Sequence, residues 1–366
     1  MEVGSMAVRA HEGEAGSRTA TVDEDLRKLL EARKAEIKVV GVGGAGNNTV
    51  SRMMQVGIVG AEIIAVNTDA QDLLYTDADV KVLIGKELTR GLGAGADPHI
   101  GMESARESKD EIKDALTGAD MVFITCGLGG GTGTGASPVV ADIAKKLGAL
   151  TVAVVTLPFT REGKARMENA KYGLEELENI VDTLIVVPND KLLEIVPDVS
   201  IMTAFKLSDE ILVNAVKGIA ELVTKPGLIN LDFADIKAVM GAGGLAMIGL
   251  GESDTENRAV EAVEKALNNP LLDVDIDGAT GALINVAGGT DMTIRECQEI
   301  VEAVSSKLAP DAKIIWGAQI IKELGDTVRA MMIITGVKST QIYGPQKPMS
   351  KEKAKEIEKI LGIDFV

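Results

Sequence analysis

The amino-acid sequence predicts an α/β fold with a parallel sheet, a long central helix and a smaller α/β domain. Short apolar runs alternate with helical stretches from residue 37 to residue 190, and several of these runs end in glycine-rich loops. Such alternation is typical of a parallel sheet that is covered by helices on both faces. We therefore predict an extension at 1–36, a main domain at 37–199, a central helix at 200–226, a second domain at 227–337 and a tail at 338–366.

The composition disfavours several classes of function. The 38 lysines and arginines are outnumbered by 55 aspartates and glutamates, so the net charge is −17. This charge and the 2% of aromatic residues make nucleic acid an unexpected partner. Two cysteines and two histidines do not favour a disulfide framework, a thiol or histidine metal site, or a Ser-His-Asp arrangement. We therefore predict no metal-ligating side chains.

Targeting and membrane signals are also missing from the sequence pattern. No apolar run approaches the length of a membrane span, and no charged-then-apolar signal peptide opens the chain. We expect a soluble, intracellular protein without direct membrane insertion. Residues 1–22 show no periodicity and are predicted to be disordered, whereas Asp23 is suited to cap a short helix through Arg33.

The main domain opens with a pattern typical of nucleotide binding. A strand predicted at 37–42 runs directly into Gly43-Gly44-Ala45-Gly46-Asn47-Asn48, and a helix is predicted at 48–55. Gly41, Gly43 and Gly46 match G-x-G-x-x-G in the strand and helix context that this pattern requires.

The next predicted strand, at 61–66, ends in Asn67-Thr68-Asp69. In a Rossmann-like fold an acidic residue at this place would bind a ribose hydroxyl, which keeps a nicotinamide-dependent oxidoreductase among the candidates. The alternative is that Asn67 and Asp69 cap the helix that follows.

Two more small-residue loops follow predicted strands. The strand at 80–84 precedes Gly91–Pro98, and the strand at 121–125 precedes Gly127–Gly135. Such loops pack few side chains but offer backbone N–H groups, to which a helix predicted at 136–147, with Pro138 in its first turn, would add its dipole. A flexible linker is the alternative. Because carboxyl ends of parallel strands share one sheet edge, we expect the loops to converge on one polyphosphate.

A charged pair follows the strand predicted at 150–156. Glu162 and Arg166 lie four residues apart at the start of a helix predicted at 163–179, so they share one helical face. They are either a solvated ion pair or part of a site. A further strand is predicted at 183–188.

The regular alternation ends at 200–224, where apolar residues predict a helix about 37 Å long. We expect it to be buried between the two domains. After it, Asp232 is suited to be the N-cap of a helix and Asp235 its third residue. The remaining predicted strands lie at 245–250, 281–286, 313–317 and 328–336, and the remaining predicted helices at 256–268, 293–308 and 351–361.

Together these motifs resemble the tubulin/FtsZ family, from about residue 37 to residue 336. The run Gly129–Gly135 looks like the glycine-rich signature of that family, which is far more specific than a lone G-x-G-x-x-G. The resemblance is closer to the prokaryotic cell-division branch than to tubulin, and the terminal extensions indicate an archaeal type. The other matching segments, in order, are Gly43–Asn47, Asn67–Asp69, Gly91–Pro98, Val187–Lys191 and Asn230–Asp235.

The resemblance implies GTP or GDP as ligand, with Mg²⁺ held by no dedicated protein ligands. An aspartate that accepts from two adjacent donors of guanine would reject adenine. The implied nucleotide-binding residues are Gly43, Gly44, Ala45, Gly46, Gly130, Gly131, Thr132, Gly133 and Thr134 for the phosphates, Ala94, Gly95 and Ala96 near the γ-phosphate, Glu162 and Arg166 at the ribose and phosphates, Asn47 and Asp209 at the guanine edge, Phe205 stacked on the base, and Asn67 and Asp69.

The resemblance also implies a catalytic role for Asn230, Asp232 and Asp235, which would reach the GTP of the next subunit and position the attacking water. A head-to-tail contact of this kind propagates as a filament. The implied function is a GTPase activated by self-assembly that forms a cytoplasmic division ring at midcell, with membrane-tethering division proteins as further partners.

Two departures from the family pattern are visible. Asp97 stands where bacterial relatives usually have asparagine, and the tail after Gly336 lacks their long linker, which disfavours adaptors of the bacterial type. The terminal Ile363–Val366 is either a short partner motif or a frayed end. A nucleotide-binding filament protein with little hydrolysis is a remaining alternative, which would differ only at Asp232 and Asp235.

Overall fold

A ten-stranded sheet carries the fold of the computed structural model, which describes residues 35–190, 201–224, 232–241, 243–267 and 275–337. The strands are β1 (Ile37–Val42), β2 (Ala61–Asn67), β3 (Val80–Leu83), β4 (Met121–Gly127), β5 (Leu150–Leu157), β6 (Thr183–Pro188), β7 (Gly244–Ser253), β8 (Gly281–Gly288), β9 (Lys313–Ile320) and β10 (Val328–Thr335). The helices are α1 (Gly43–Val56), α2 (Ala70–Tyr75), α3 (Lys86–Thr89), α4 (Pro98–Glu107), α5 (Lys109–Leu116), α6 (Thr132–Lys146), α7 (Lys164–Glu178), α8 (Ile201–Thr224), α9 (Phe233–Met240), α10 (Arg258–Leu267) and α11 (Ile294–Ser305).

The strand order is β3-β2-β1-β4-β5-β6-β7-β10-β8-β9. All neighbouring pairs from β3 to β7 are parallel, β10 pairs antiparallel with β7 and β8, and β8 pairs parallel with β9. The chain therefore leaves β1 in one direction toward β2 and β3 and then returns to place β4 on the other side of β1. In parallel sheets such a reversal creates a crevice at the carboxyl ends of the two strands, where ligands bind.

Apolar strands explain why helices cover both faces of this sheet. In β4 every side chain from residue 121 to residue 126 is buried, and successive side chains point to opposite faces. Val122 and Ile124 pack on the face covered by α6 and α7, whereas Met121 and Phe123 pack on the face covered by α1 and α8. The predicted parallel sheet with two helical layers is confirmed.

The long helix α8 packs across one face of the sheet. Its buried residues Leu212, Val216 and Ile219 belong to the same apolar cluster as Val152 of β5 and Met331 of β10. The helix therefore contacts strands of both predicted domains. The sheet also continues from one domain to the other, because β6 pairs with β7 in parallel register.

The structure corrects the predicted start of α6. The sequence predicts a start at Ala136 with Pro138 in the first turn, but the helix begins at Thr132 and Pro138 lies inside it. The difference arises because glycine in a sequence usually indicates a loop. Gly133 and Gly135 instead sit in the helix where neighbouring backbone approaches too closely for a Cβ atom. The sequence pattern does not predict helices α3, α4 and α5.

The helices predicted at 23–33 and 351–361 lie outside the described residues. Within the described part of the chain, no helix is long and apolar enough to cross a membrane. Both cysteine thiols are buried, and burial raises the pKa of Cys126 to about 12.

Candidate nucleotide-binding site

A cavity of about 400 Å³ lies at the carboxyl ends of β1 and β4, at the point where the strand order reverses. This volume is within the range of small-molecule sites. The predicted residues that line it are Gly43, Gly44, Ala45, Gly95, Gly130, Gly131, Thr132, Gly133, Glu162, Arg166 and Asp209. The sequence interpretation did not assign the other lining residues, which are Val42, Asn48, Thr49, Gly127, Leu128, Thr156, Pro158, Asn189 and Leu212.

Two helix N-termini open into this cavity without side-chain caps. Helix α1 begins at Gly43 and α6 at Thr132, and neither has an acidic residue in its first turn. By contrast, the carboxylates of Asp69 and Asp97 cap α2 and α4. The first N–H groups of a helix have no intrahelical partner and carry partial positive charge. These helix N-termini give the cavity unpaired donors and partial positive charge, which are the properties that an anion-binding site needs.

Glycine is required where these two helices meet. Gly43 has φ +72°, and a Cβ atom there would lie 2.8 Å from the backbone nitrogen of Gly133. Its conformation and its surroundings both exclude a side chain. The absence of Cβ atoms brings the N–H groups of the two helices next to each other, so that both sets can reach one ligand.

The loop at residues 94–97 contacts the same glycine-rich segment. The backbone N–H of Gly131 donates to the carbonyl oxygen of Gly95 at 3.1 Å. Ala94 is buried beneath the loop, whereas Gly95 and Ala96 are exposed, and Gly95 reaches the cavity. The hydroxyl groups of Thr68 and Thr132 lie 2.6 Å apart and join the end of β2 to the start of α6.

Arg166 is the one cation among the described lining residues, and it is paired with Glu162. A carboxylate oxygen of Glu162 also accepts from the backbone N–H of Phe159 at 2.8 Å. The Arg166 side chain is 53% exposed, so water screens the pair and its contribution to stability is small. The pair lies in the cavity, which favours a role in the site.

Asp209 brings a second carboxylate to the cavity from α8. The hydroxyl of Thr49 donates to it at 2.9 Å. Burial raises the pKa of Asp209, while the Thr49 hydrogen bond and the positive charge of Arg52 act in the opposite direction. This carboxylate is thus partly desolvated and fixed in orientation. Both properties favour selective acceptance of hydrogen bonds from a ligand.

Other predicted binding residues surround the cavity without lining it. Asp69 accepts from the backbone N–H groups of Gln71 at 2.9 Å and Asp72 at 3.0 Å, which confirms the helix-cap interpretation for Asp69. For Asn67 that interpretation is wrong, because its side-chain oxygen accepts from the N–H groups of Thr68 and Asp69, which precede the helix. Asn67 donates to the Asp72 carboxylate at 2.6 Å. The predicted binding residues that do not line the cavity are Gly46, Asn47, Asn67, Asp69, Ala94, Ala96 and Thr134. Their roles in ligand binding stay predictions.

Asn47 and Thr134 have contacts inside the protein. The side-chain amide of Asn47 is buried and lies 3.5 Å from the Asp72 carboxylate, and its own carbonyl oxygen has no partner within the described residues. The Thr134 hydroxyl accepts from the backbone N–H of Gly129 at 2.9 Å and holds the glycine-rich loop. The side chain of Phe205 and all of Asn230 lie outside the described residues.

Asp232 and Asp235 lie on a different surface. Asp232 caps α9 by accepting from the Ala234 N–H at 3.4 Å, and Asp235 is in the first turn, as predicted. Both are exposed, and neither lines the cavity. The other end of α9 is fixed at the amino end of β6, where Thr183 donates to the Met240 carbonyl. This helix is therefore anchored at the sheet edge opposite the glycine-rich loops.

Comparison with known proteins gives the family. Residues 36–197 match the Tubulin/FtsZ family, GTPase domain, and residues 244–338 match the FtsZ family, C-terminal domain. Cell division protein FtsZ 1 of Thermococcus kodakarensis is 66% identical over 318 residues, which is 87% of this chain and 85% of that protein.

Solved structures agree with this assignment. An empty FtsZ dimer from M. jannaschii superposes with a TM-score of 0.81 at 64% identity, covering 86% of this chain and 92% of that one. A GDP-bound CetZ1 monomer from Haloferax volcanii gives a TM-score of 0.75 at 26% identity, covering 88% and 99%. The chain therefore belongs to the FtsZ family of cell-division proteins, within the tubulin/FtsZ GTPases.

Proposed function

We propose that this chain is a GTP-dependent polymerising GTPase of the cytoplasm, which assembles head to tail and completes its active site between neighbouring subunits. One observation carries the proposal: the chemistry is divided between two surfaces. The phosphate-binding backbone lies at the carboxyl ends of the strands, whereas the exposed carboxylates of Asp232 and Asp235 lie on a helix anchored at the opposite edge.

The cavity suits a nucleotide triphosphate because its donors are mostly backbone groups. The N–H groups of the two uncapped helices would bind the phosphates, with Arg166 adding one cation. No group of three His, Cys, Asp or Glu in the described segments is placed to hold a metal, so Mg²⁺ would be held mainly by the phosphates. When bound, Mg²⁺ would neutralise charge that develops on the phosphate oxygens.

Guanine recognition is assigned to the α8 end of the cavity. The Asp209 carboxylate would accept from the two adjacent donors of guanine, and adenine would leave this half-buried carboxylate unpaired. Phe205, four residues earlier on the same helix, would stack on the base. Asn47 would join them only after its buried side chain turned toward the cavity. The GDP bound to the related CetZ1 supports a guanine nucleotide.

Hydrolysis needs a group that positions water, and the cavity offers no unengaged carboxylate among its described lining residues. Glu162 is paired with Arg166 and Phe159, and Asp209 accepts from Thr49. In the proposed filament Asp232 and Asp235 of the next subunit, with Asn230, supply this function. The helix cap that Asp232 makes would hold the carboxylates in place.

Self-association follows from the same division of the site. A contact between two different surfaces of identical chains propagates as a filament unless it closes into a ring. The M. jannaschii relative, described as a dimer, supports self-association. From the family name we infer a place in the midcell division ring, where membrane-tethering division proteins would be further partners.

The proposal predicts that hydrolysis depends on protein concentration. Phosphate release from GTP, per molecule of protein, is expected to be close to zero below a threshold concentration and to rise steeply above it, because an isolated subunit lacks the carboxylates of its neighbour. Sedimentation of the same samples should show polymer appearing at the same threshold.

ATP and NADH, each supplied in place of GTP, serve as substrate controls, and neither should be turned over. A rate per molecule that is constant from the lowest concentration upward would contradict a site shared between subunits. Polymer that forms with GTP but releases no phosphate would instead favour a filament protein with little hydrolysis.

Replacing Thr49 by valine tests the base site. The change removes the hydroxyl that donates to Asp209, so the carboxylate loses the hydrogen bond that orients it and favours its charged form. We expect GTP affinity to fall about tenfold at neutral pH. Titration calorimetry between about pH 5 and pH 8 measures the affinity.

The pH dependence has a definite sign. Guanine binding needs the ionised carboxylate, so affinity should fall as the pH drops through the raised pKa of Asp209. Without Thr49 that pKa rises further, and the fall should begin at higher pH. Thr49→Ser keeps the hydroxyl and should follow the wild type. If GTP affinity fell over the same pH range in the wild type, the valine variant and the serine variant, this role of Thr49 would be refuted.

A further inference from the structure

A single side-chain amide joins the two loops that meet at the phosphate end of the cavity. The Asn169 Nδ2 atom, on α7, donates to the carbonyl oxygen of Ala96 at 2.8 Å and to that of Gly129 at 3.3 Å. One acceptor belongs to the 94–97 loop and the other to the glycine-rich loop. Because both acceptors are carbonyl oxygens, only a group with two N–H donors can satisfy them together.

The bond to Gly129 fixes the direction of a backbone donor at the cavity, and the bond to Ala96 fixes a turn of the neighbouring loop. In a trans peptide the N–H points away from the C=O of the same peptide unit. Asn169 holds the Gly129 carbonyl outside the cavity, so the N–H of Gly130, which lines the cavity, is directed away from Asn169. In the 94–97 loop, Asn169 holds the Ala96 carbonyl and Gly131 holds the Gly95 carbonyl. The peptide N–H that follows the Ala96 carbonyl is that of Asp97, which donates to the Ala94 carbonyl at 3.3 Å, so here Asn169 fixes the turn of the loop.

Each of the two loops has further hydrogen bonds besides the one from Asn169. The glycine-rich loop is also fixed by the Thr134 hydroxyl and by a bond from the Leu128 N–H to the Thr156 carbonyl. The 94–97 loop is bound at Gly95 by the Gly131 N–H, and the Asn169 amide binds it at Ala96. Loss of the amide therefore releases the Ala96 end of the loop from α7, while the Gly95 end keeps its bond to the glycine-rich loop.

We propose that Asn169 is a positioning residue for the γ-phosphate: its side-chain amide holds the 94–97 loop against the glycine-rich loop, so that the site distinguishes GTP from GDP. This inference rests on the proposed function and on the role that the family resemblance implies for residues 94–96, which would approach the γ-phosphate. Arg166 lies less than one turn earlier on α7 and lines the cavity, so one helix both contacts the nucleotide and sets the loop that senses it.

The test uses the full chain below its assembly threshold and measures dissociation constants for GDP and for GTPγS. Asn169→Ala is expected to weaken GTPγS binding about tenfold and GDP binding less than about twofold. Asn169→Asp keeps the shape but places a carboxylate against two carbonyl oxygens, so it should weaken GTPγS more than alanine does. Asn179→Ala is the matched control, since Asn179 directly follows α7 and its side-chain amide donates to the Glu175 carbonyl of that helix.

The outcomes separate the alternatives. Equal weakening of GDP and GTPγS, or an aspartate variant that binds as tightly as the wild type, would show that Asn169 acts only through packing, and the inference would be wrong. Failure of the wild type to bind either guanine nucleotide would overturn the proposed function itself. The role proposed for Asn169 is supported if GTPγS binding weakens more than GDP binding, if Asn169→Asp weakens it more than Asn169→Ala, and if Asn179→Ala binds both nucleotides like the wild type.

Discussion

Replacing Asp235 by alanine is expected to slow GTP hydrolysis by about 100-fold or more while GTP binding stays within about twofold of the wild type. The carboxylate is exposed and outside the cavity, so the nucleotide loses no contact in its own subunit. The first turn of α9 loses one acidic residue, which costs about 0.5 kcal/mol and leaves the fold intact. Phosphate release gives the hydrolysis rate, a nucleotide titration gives the affinity for GTP, and sedimentation above the threshold concentration gives the amount of polymer.

Asp110→Ala is the matched control, because Asp110 is also an exposed carboxylate in the first turn of a helix, α5. It should hydrolyse GTP at the wild-type rate. Loss of GTP binding by Asp235→Ala would mean that the residue serves the fold, and full hydrolytic activity would remove it from the mechanism.

A mixing experiment then separates a shared site from a site within one chain. Asp209→Asn exchanges an acceptor for a donor at the proposed base site, so it should bind XTP, whose 2-carbonyl replaces the 2-amino group of GTP. With both nucleotides present, GTP hydrolysis should return only when Asp235→Ala and Asp209→Asn are mixed. The double variant, added in place of Asp209→Asn, should restore nothing. If the mixture of the two variants formed polymer but did not hydrolyse GTP, catalysis in trans would be contradicted.

The strands were predictable because each is a short apolar run. Residues 121–126 are buried on both faces, and such a run between turn residues fits a strand inside a parallel sheet. The glycine-rich segments after the strands predicted that the site lies at the carboxyl ends of the strands, and the cavity lies there. Periodicity also predicted α8, whose length exceeds that of every other described helix.

What could not be predicted depends on contacts between distant residues. The pairing of Thr49 with Asp209 joins positions 160 residues apart, and that of Asn169 with Ala96 joins positions 73 apart. Local patterns carry no information about such pairs. The same limit explains the error at α6, since a helical glycine that faces another backbone looks, in sequence, like a glycine of a loop.

The charge of the molecule explains why the site is made of backbone. With a net charge of −17, the chain repels a polyanion at long range. Lysines around the cavity would reduce this repulsion, but among the described lining residues only Arg166 is cationic. Uncapped helix N-termini instead provide short-range donors with fixed direction, which act only when the phosphates are in place. Binding should therefore depend on Mg²⁺, which lowers the charge of the approaching nucleotide.

Replacing Gly135 by alanine is expected to lower the free energy of unfolding by about 3 kcal/mol or more. A Cβ atom at this position would overlap the carbonyl oxygen of Pro98 and lie 2.7 Å from the backbone nitrogen of Met102, so α6 and α4 would have to separate. Added methyl groups in a packed interior usually cost about 1–3 kcal/mol, and here backbone instead of a side chain must move. Urea denaturation of the nucleotide-free protein, followed by circular dichroism, measures the change.

Gly130→Ala is the matched control, since a Cβ atom at Gly130 has no atom within 4 Å and the backbone there does not require positive φ. Its free energy of unfolding should stay within about 0.5 kcal/mol of the wild type, although GTP binding should weaken because Gly130 lines the cavity. The two glycines of one signature thus serve different purposes, one for helix packing and one for ligand access. If Gly135→Ala unfolded at the same urea concentration as Gly130→Ala, the close contact between α4 and α6 would not be what selects glycine at residue 135.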